Sequence, residues 1–194
     1  MYSFLILRWK ILKQQVQNNM EDLSYPIGKY IEQPFSQLQL EEWLLDIEVL
    51  PKALEYSITN LDAAQLEEPY RPGGWNSREV VHHVADSHMN AFMRFKLALT
   101  ENNPTIKPYN QQAFSQLSDV KNIPINVSLT LLYALHARML EVLKNIQPQE
   151  WTRTVVHPEY GKQMSIWYLL GQYAWHGKHH TAHINKLRKR MGWK

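Results

Sequence analysis

The sequence predicts an all-α protein, a four-helix bundle with a long irregular connection between its second and third helices. Three observations support this fold class. Apolar residues recur at intervals of three and four in four long segments, strand signals are nearly absent, and 194 residues are about one domain's worth of chain. We therefore expect a single bundle domain over residues 20–194.

The first two predicted helices are recognised by their apolar spacing and by one helix-start signal. Apolar residues from Trp43 to Leu61 follow a helical period, and Pro51 within them predicts a kink or a restart, because proline lacks the helical N–H. The second helix begins at Asn76, where Glu79 three residues later completes a capping-box pattern. The sequence ENNPTIKP ends that helix.

The last two predicted helices follow the connection, which covers about residues 101–127. The third helix spans about residues 128–146, and the fourth runs from near Ser165 through a histidine cluster to about Met191. The two halves of the chain also resemble each other weakly. The block that ends in Leu61, at the end of the first predicted helix, matches a block at the end of the third predicted helix, and each block precedes a loop and a histidine-bearing helix. This echo predicts two helix hairpins that bring the second and fourth helices together around one site.

Composition excludes several kinds of site. The chain has no cysteine, so disulfides, thiolate zinc sites and cysteine nucleophiles are ruled out, and a cytoplasmic location is expected. Any metal must be held by His, Asp or Glu. The net charge of +3 is mild, and much of the excess lies in the tail NKLRKRMGWK, where cations complement the end of a helix. We therefore expect no nucleic-acid partner.

The N-terminal stretch MYSFLILRWKILKQQVQNN is apolar but is not a targeting signal. Its apolar core is too short, Arg8 and Lys10 interrupt it, and no small-residue cleavage pattern follows. No run in the chain reaches the length of a membrane span, so no membrane partner is expected. We interpret residues 1–19 as an N-terminal extension that can be disordered and that has no place in the core.

The stretch YAWHGKHHTAHINK carries four histidines in eight positions. At about 100° per residue, His180 lies in the middle of the apolar face of the fourth helix and His176 at its margin. His183 lies nearer the rim, and His179 is expected to be solvated. His176 and His180, four residues apart, therefore stack on one face as two ligands of a metal would.

The second helix offers the third ligand in VVHHVADSH. Periodicity alone leaves His83 and His88 equal: His88 is nearer the apolar stripe, whereas His83 begins a polar stripe that continues through Ser87, Asn90 and Arg94. This stripe lacks Glu and Lys, which is unusual for a solvated face. It is typical of the wall of a polar cavity inside a bundle.

Three motifs in order carry a family resemblance: YRPGGWNSREVVHHVADSHMNAFMRFKLALTE, PTIKPYNQQAF, and WHGKHHTAHI with the closing MGW. They resemble the DinB/YfiT-like superfamily, most closely its YfiT branch of metal-dependent hydrolases, over about residues 23–193. The resemblance implies a four-helix bundle, often a homodimer, that holds one divalent ion, nickel or zinc. It also implies that His83, His176 and His180 are the ligands.

Such a site permits more than one chemistry. Three neutral imidazoles leave an open position on the ion, where the pKa of a bound water falls toward neutrality or a thiol loses its proton. The expected activity is hydrolysis of a small molecule. The alternatives are a thiol S-transferase that uses a low-molecular-weight thiol such as bacillithiol, and a non-enzymatic, stress-related metal-binding protein. Asn90 and Arg94 are expected to bind the substrate, and the sequence assigns no general base.

Overall fold

Four long helices form the body of the molecule in a computed structural model that describes residues 23–159 and 161–194. The all-α bundle predicted from the sequence is confirmed. The predicted extension at residues 1–19 lies outside the described residues. The elements in chain order are α1 (Gln37–Ile58), α2 (Ala63–Leu66), α3 (Ser77–Thr100), α4 (Gln111–Phe114), α5 (Ser118–Asn122), α6 (Ile125–Lys144), a 3-10 helix (Pro148–Thr152), β1 (Thr154–His157), β2 (Lys162–Ser165) and α7 (Ile166–Met191).

The long helices are not arranged as two hairpins of chain neighbours. Helix α1 packs beside α6 and α7, and α3 packs beside the same two helices, so α1 and α3 lie across the bundle from each other. The predicted pairing of the second and fourth helices, α3 and α7, is therefore confirmed. The hairpins expected from the internal echo are wrong, because the connections after α1 and α6 cross the bundle end.

The end signals of α3 and α7 agree with the sequence. The Asn76 side chain accepts from the Glu79 backbone N–H at 2.8 Å, and the Glu79 carboxylate accepts from the Asn76 N–H at 2.9 Å. Ser165 caps α7 by accepting from the Tyr168 N–H at 3.0 Å. Helix α7 ends at Gly192, whose φ of 69° is the left-handed conformation that glycine adopts at low cost. These caps fix where the histidine-bearing segments begin.

Pro51 lies inside an unbroken α1, so the predicted restart is wrong. Proline has no N–H to donate to the carbonyl four residues earlier, which here belongs to Ile47. That carbonyl instead accepts a hydrogen bond from Nδ1 of His136 on α6, with 2.6 Å between the atoms. A side chain thus satisfies the backbone group that the proline leaves free.

The expectation that strands are nearly absent missed a short antiparallel hairpin. Strands β1 and β2 pair from Thr154 opposite Ser165 to His157 opposite Lys162. The connection of residues 101–127 joins this hairpin, because the Ile106 N–H donates to the Val156 carbonyl at 3.0 Å. The connection also contains α4 and α5, and it is therefore more ordered than predicted.

A polar layer of histidines crosses the bundle between two apolar clusters. One cluster contains Phe95 and Tyr173, and the other contains Val80, Leu132 and Ile184. The histidines of this layer come from α3, α6 and α7. The buried histidines of the layer are His83, His88, His136, His179, His180 and His183.

None of the helices in the described part of the chain combines the length and the apolar character that a membrane-spanning segment needs.

Candidate metal centre

Two neighbouring helices bring three histidines to one point. His83 comes from α3, and His176 and His180 come from successive turns of α7. One ring nitrogen of each lies within 4.8 Å of the others, and Nε2 of His83 is 3.1 Å from Nε2 of His176. We call these three residues the histidine trio. Within the described residues it is the one group of three or more His, Cys, Asp or Glu side chains with such spacing.

The approach of α7 to α1 depends on glycine. A Cβ atom added at Gly177 would collide with the side chain of Leu50 on α1, and one added at Gly171 would collide with Trp43. Both glycines therefore permit α7 to pack tightly against α1. Because Gly177 follows His176 directly, this close packing holds the ligand-bearing turn of α7 inside the bundle.

Burial keeps the histidine trio neutral. Loss of solvation lowers the pKa of His83 to about 4, with the neighbouring His179 ring adding to the shift. Burial also holds the pKa of His176 and that of His180 well below the usual range, and the other rings of the cluster act in the same direction. Neutral imidazole is the form that binds a metal. The trio therefore presents unprotonated nitrogen without competition from protons at neutral pH.

His88, which periodicity left equal to His83, is fully buried but makes a different contact. Its Nδ1 is 3.0 Å from Nε2 of His136, and the two rings are stacked 4.9 Å apart. We call His88 and His136 the inner pair. The ring of His88 lies 5.7 Å from the ring of His176, so the inner pair adjoins the histidine trio without belonging to it.

The expectation that His179 is solvated is wrong. Its ring stacks on Trp175 at 4.4 Å and faces Tyr25 at 5.9 Å, and the side chain is 7% exposed. The chain before α1 causes this burial, since the Trp175 indole also donates to the Gly28 carbonyl at 3.2 Å. Helical angle alone did not reveal that an extended segment covers this face of α7.

A cavity of about 110 Å³ adjoins His176. Within it Nη1 of Arg94 donates to the hydroxyl of Tyr173 at 2.7 Å. Burial raises the pKa of Tyr173 to about 12, so this hydroxyl remains protonated at neutral pH. The cavity is lined by Ser87, Arg94, Pro108, Tyr109, Gln111, His157, Glu159, Met164, Gln172, Tyr173 and His176.

Of the residues expected to bind substrate, Arg94 lines this cavity, whereas Asn90 does not. The Asn90 amide donates to the Asp86 carbonyl one turn earlier at 2.9 Å. On the same helix, Nδ1 of His82 lies 2.8 Å from the Ser128 hydroxyl. Burial, helped by the charge of Asp119, raises the pKa of Asp86 to about 6.

Sequence reasoning missed several cavity residues because it did not predict the β-hairpin. His157 ends β1, and Glu159 in the following turn is the one carboxylate among the cavity-lining residues. Tyr109 comes from the connection between α3 and α6. The β-branched run TVVH followed by a turn glycine, Gly161, was an available hairpin signal.

Comparisons with known proteins agree with this fold. The model of the DinB superfamily matches residues 46–184. A Bacillus cereus protein named "Putative metal-dependent hydrolase" is 49% identical over 175 residues, which is 90% of this chain and all of the relative. A Bacillus anthracis protein with the same name is 48% identical with the same coverage.

Two solved structures are similar to this chain. YfiT from Bacillus subtilis, described as "a probable metal-dependent hydrolase with an unusual four-helix bundle topology", superposes with a TM-score of 0.87 at 43% identity. The match covers 89% of this chain and 99% of YfiT. The four-helix bundle protein TT2238 has a TM-score of 0.51 at 24% identity over 73% of this chain, which supports the fold alone.

Proposed function

This chain belongs to the DinB superfamily, and from that premise we propose that it is a metal-dependent hydrolase acting on a small molecule. One observation carries the proposal: three neutral imidazoles, with His83 and His180 buried and His176 half-buried, converge beside a polar cavity. We further propose that His83, His176 and His180 bind one divalent ion, Ni²⁺ or Zn²⁺. The names of the Bacillus relatives agree with this activity.

The donor set suits such an ion. Two ligand nitrogens about 2.1 Å from one ion, at angles between octahedral and tetrahedral, are about 3.0–3.4 Å apart. The 3.1 Å between Nε2 of His83 and Nε2 of His176 falls in that range. Imidazole nitrogen is a preferred ligand of both nickel and zinc. A bound ion with three protein ligands would retain an open position and would lower the pKa of a water held there.

The cavity supplies the groups that would hold the substrate. The guanidinium of Arg94 has no carboxylate within 4.0 Å among the described residues, and its Tyr173 partner is a neutral hydroxyl. An anionic oxygen group of a substrate would therefore find an unpaired cation there. We propose that Arg94 binds this group. The carboxylate of Glu159, at the cavity wall, is available to accept a proton.

The test of the proposal is turnover with and without metal. Protein purified without a histidine tag is analysed for metals, loaded with Zn²⁺ or Ni²⁺, and offered a panel of esters, amides and phosphoesters. We expect turnover that chelation removes and that His180→Ala abolishes. A parallel arm contains monochlorobimane with and without bacillithiol. Conjugation only in the presence of the thiol, with no hydrolysis, would replace the hydrolase by the S-transferase.

Arg94 provides an independent test within the same assay. Arg94→Met should raise the KM for an anionic ester about 10-fold or more and leave the KM for a neutral ester nearly unchanged, because a charged hydrogen bond contributes about 1.5–3 kcal/mol. Lys96→Met is the matched control, since Lys96 is exposed and lies on the same helix outside the cavity. Equal losses for both substrates would contradict the role of Arg94.

We also propose that a second copy of this chain packs on α1. Four exposed apolar residues lie on one face of that helix: Leu38, Leu45, Val49 and Tyr56. In an antiparallel pairing centred on the middle of α1, Leu45 would meet Val49 of the other copy and Leu38 would meet Tyr56. The same pairing sets a glutamate, residue 42, across from a lysine, residue 52. The face is therefore complementary to itself in both shape and charge.

The dimer is tested by light scattering after gel filtration. Leu45→Arg should shift the protein to a monomer, because it places a charge at the centre of the apolar face. Met93→Arg is the control, since Met93 is similarly exposed, on α3. If the wild-type protein is a monomer, or if the dimer persists in Leu45→Arg, the proposed interface on α1 is contradicted.

A further inference from the structure

Two buried nitrogen atoms without hydrogen-bond partners lie where the inner pair meets the histidine trio. They are Nδ1 of His176 and Nε2 of His88. A buried polar atom without a hydrogen-bond partner destabilises the folded state, so two such atoms in adjacent rings require an explanation. The rings are 5.7 Å apart.

The hydrogen bonds of the inner pair determine which nitrogen of each ring carries a proton. Because Pro51 has no N–H, the Ile47 carbonyl is free, and it accepts from Nδ1–H of His136 at 2.6 Å. Nε2 of that neutral ring is therefore an acceptor. It accepts from Nδ1–H of His88 at 3.0 Å, which leaves Nε2 of His88 as an unprotonated acceptor.

His176 has the complementary requirement. If its Nε2 binds a metal ion, its proton resides on Nδ1, and ligating histidines almost always donate that proton to a partner. Nδ1 of His176 is buried and has no acceptor among the described residues, whereas the neighbouring Nε2 of His88 is an acceptor without a donor there. Each atom supplies what the other lacks.

We propose that His88 and His136 are positioning residues for the metal ligand His176. Resting on the proposed metal site, the inference is that Nδ1–H of His176 donates to Nε2 of His88 in the loaded protein. A chain of hydrogen bonds then runs from His176 through His88 and His136 to the backbone carbonyl of Ile47 on α1. It fixes the tautomer and the ring plane of His176, and so directs its Nε2 toward the ion.

The distances make this bond accessible. The rings of His88 and His136 are 4.9 Å apart with bonded nitrogens at 3.0 Å, and the rings of His83 and His176 are 5.1 Å apart with nitrogens at 3.1 Å. At 5.7 Å, the rings of His176 and His88 are less than about 1 Å farther apart than the rings of these two bonded pairs.

Nitrogen-15 NMR of histidine-labelled protein measures which ring nitrogens of His176, His88 and His136 carry a proton. In both metal-free and Zn²⁺-loaded protein we expect His88 and His136 to be neutral with the proton on Nδ1. After loading, a scalar coupling across the hydrogen bond between Nδ1 of His176 and Nε2 of His88 should appear. A proton on Nε2 of His88 would overturn the inference, even if Zn²⁺ binds normally.

Zn²⁺ affinity, measured by competition with a chelating dye, gives a second readout. His88→Leu should weaken binding 10–100-fold, and His88→Gln should recover part of the loss because an amide both accepts and donates. His82→Gln is the matched control: His82 is also buried on α3 but bonds to Ser128. Folding of each variant is checked by circular dichroism.

The outcomes separate the inference from the proposed function. Wild-type protein that binds no Zn²⁺ would contradict the metal site itself. Zn²⁺ binding that is unchanged in His88→Leu, or equally weakened in His82→Gln, would contradict only the positioning chain. If His88→Leu does not fold, the tautomer of His88 in the wild-type protein still decides the question.

Discussion

The histidine trio and the inner pair are two groups of the same residue type, in the same layer of the bundle and similarly buried. They differ in their partners. The inner pair is bonded from ring to ring and then to the Ile47 carbonyl, so each donor faces an acceptor. The nitrogens of the trio converge on one another: Nε2 of His83 and Nε2 of His176 are 3.1 Å apart, and no backbone group fixes which of the two carries the proton.

This difference indicates how a buried histidine can be assigned to a structural or a binding role. Loss of solvation lowers the pKa in both groups, as it does for His83 and His136, so the shift does not distinguish them. The direction of the hydrogen bonds does. The inner pair ends on a backbone carbonyl, which can only accept and so fixes both tautomers, whereas only histidine nitrogens meet in the trio, where a metal ion can replace the shared proton.

The largest expected effect follows from removing one member of the trio. Changing His83, His176 or His180 to Ala should abolish stoichiometric metal binding, because two imidazoles do not make a site with the affinity of three. His179→Ala should leave binding nearly intact, although its ring touches that of His180 at 5.1 Å. Elemental analysis after dialysis measures both. Retention of metal by His83→Ala would make the assignment wrong.

Part of the difference between the histidine trio and the inner pair could be predicted from the sequence. The spacing of His176 and His180 placed them on one helical face, and the capping box at Asn76 set the start of α3. Periodicity left His83 and His88 equal, since angle around a helix reports burial and not bonding. The partner of His88 is His136, forty-eight positions away on another helix, and no local pattern connects the two.

The parts that sequence reasoning did not predict depend on contacts between distant segments. His179 is buried by residues before α1, including Tyr25, and these residues have no periodic pattern. The carboxylate of Glu159 enters the cavity wall through a hairpin whose strands have only four residues each. Strands this short give too few alternations to distinguish them from a loop.

The second prediction concerns the stability of the metal-free protein in acid. The pKa of His83 is lowered to about 4 by burial, while the unfolded chain titrates near 6.5. Between those values the unfolded state binds a proton that the folded state does not, so stability is present above pH 6.5 and is lost as pH falls toward 4. The loss for one such group is on the order of 3 kcal/mol.

Urea unfolding at several pH values between 7.5 and 4.5 measures this loss. Asp86 acts in the opposite direction, since its pKa is raised to about 6 and its folded form takes up a proton first as pH falls. Asp86→Asn should therefore make the acid loss steeper. A free energy of unfolding that stays constant from neutral pH to 5 would contradict the burial of a neutral trio.

A smaller effect is expected at Pro51, whose missing N–H frees the acceptor of the inner pair. Pro51→Ala supplies an N–H that competes with His136 for the Ile47 carbonyl. The gain of a helical bond and the loss of buried proline contacts should nearly cancel, leaving the unfolding free energy within about 1 kcal/mol. The Nδ1–H resonance of His136 should move upfield. An unchanged resonance would show that the carbonyl serves both donors without competition.

The smallest effect is expected from removing residues 1–19. Among the residues that the structure describes, the trio and the inner pair take their ring contacts and hydrogen bonds from residues between 47 and 183, and the earliest ring contact of His179 is with Tyr25. The removed stretch has two cations inside its apolar run and no capping signal. A chain that begins at Met20 should therefore melt at the same temperature and bind Zn²⁺ with the same affinity.

For a domain of this size, a fall of about 2–4 °C in Tm corresponds to about 1 kcal/mol. Such a fall with unchanged Zn²⁺ affinity would mean that the extension packs on the bundle away from the site. A fall in both would extend the site to a part of the chain that neither group of histidines is expected to need.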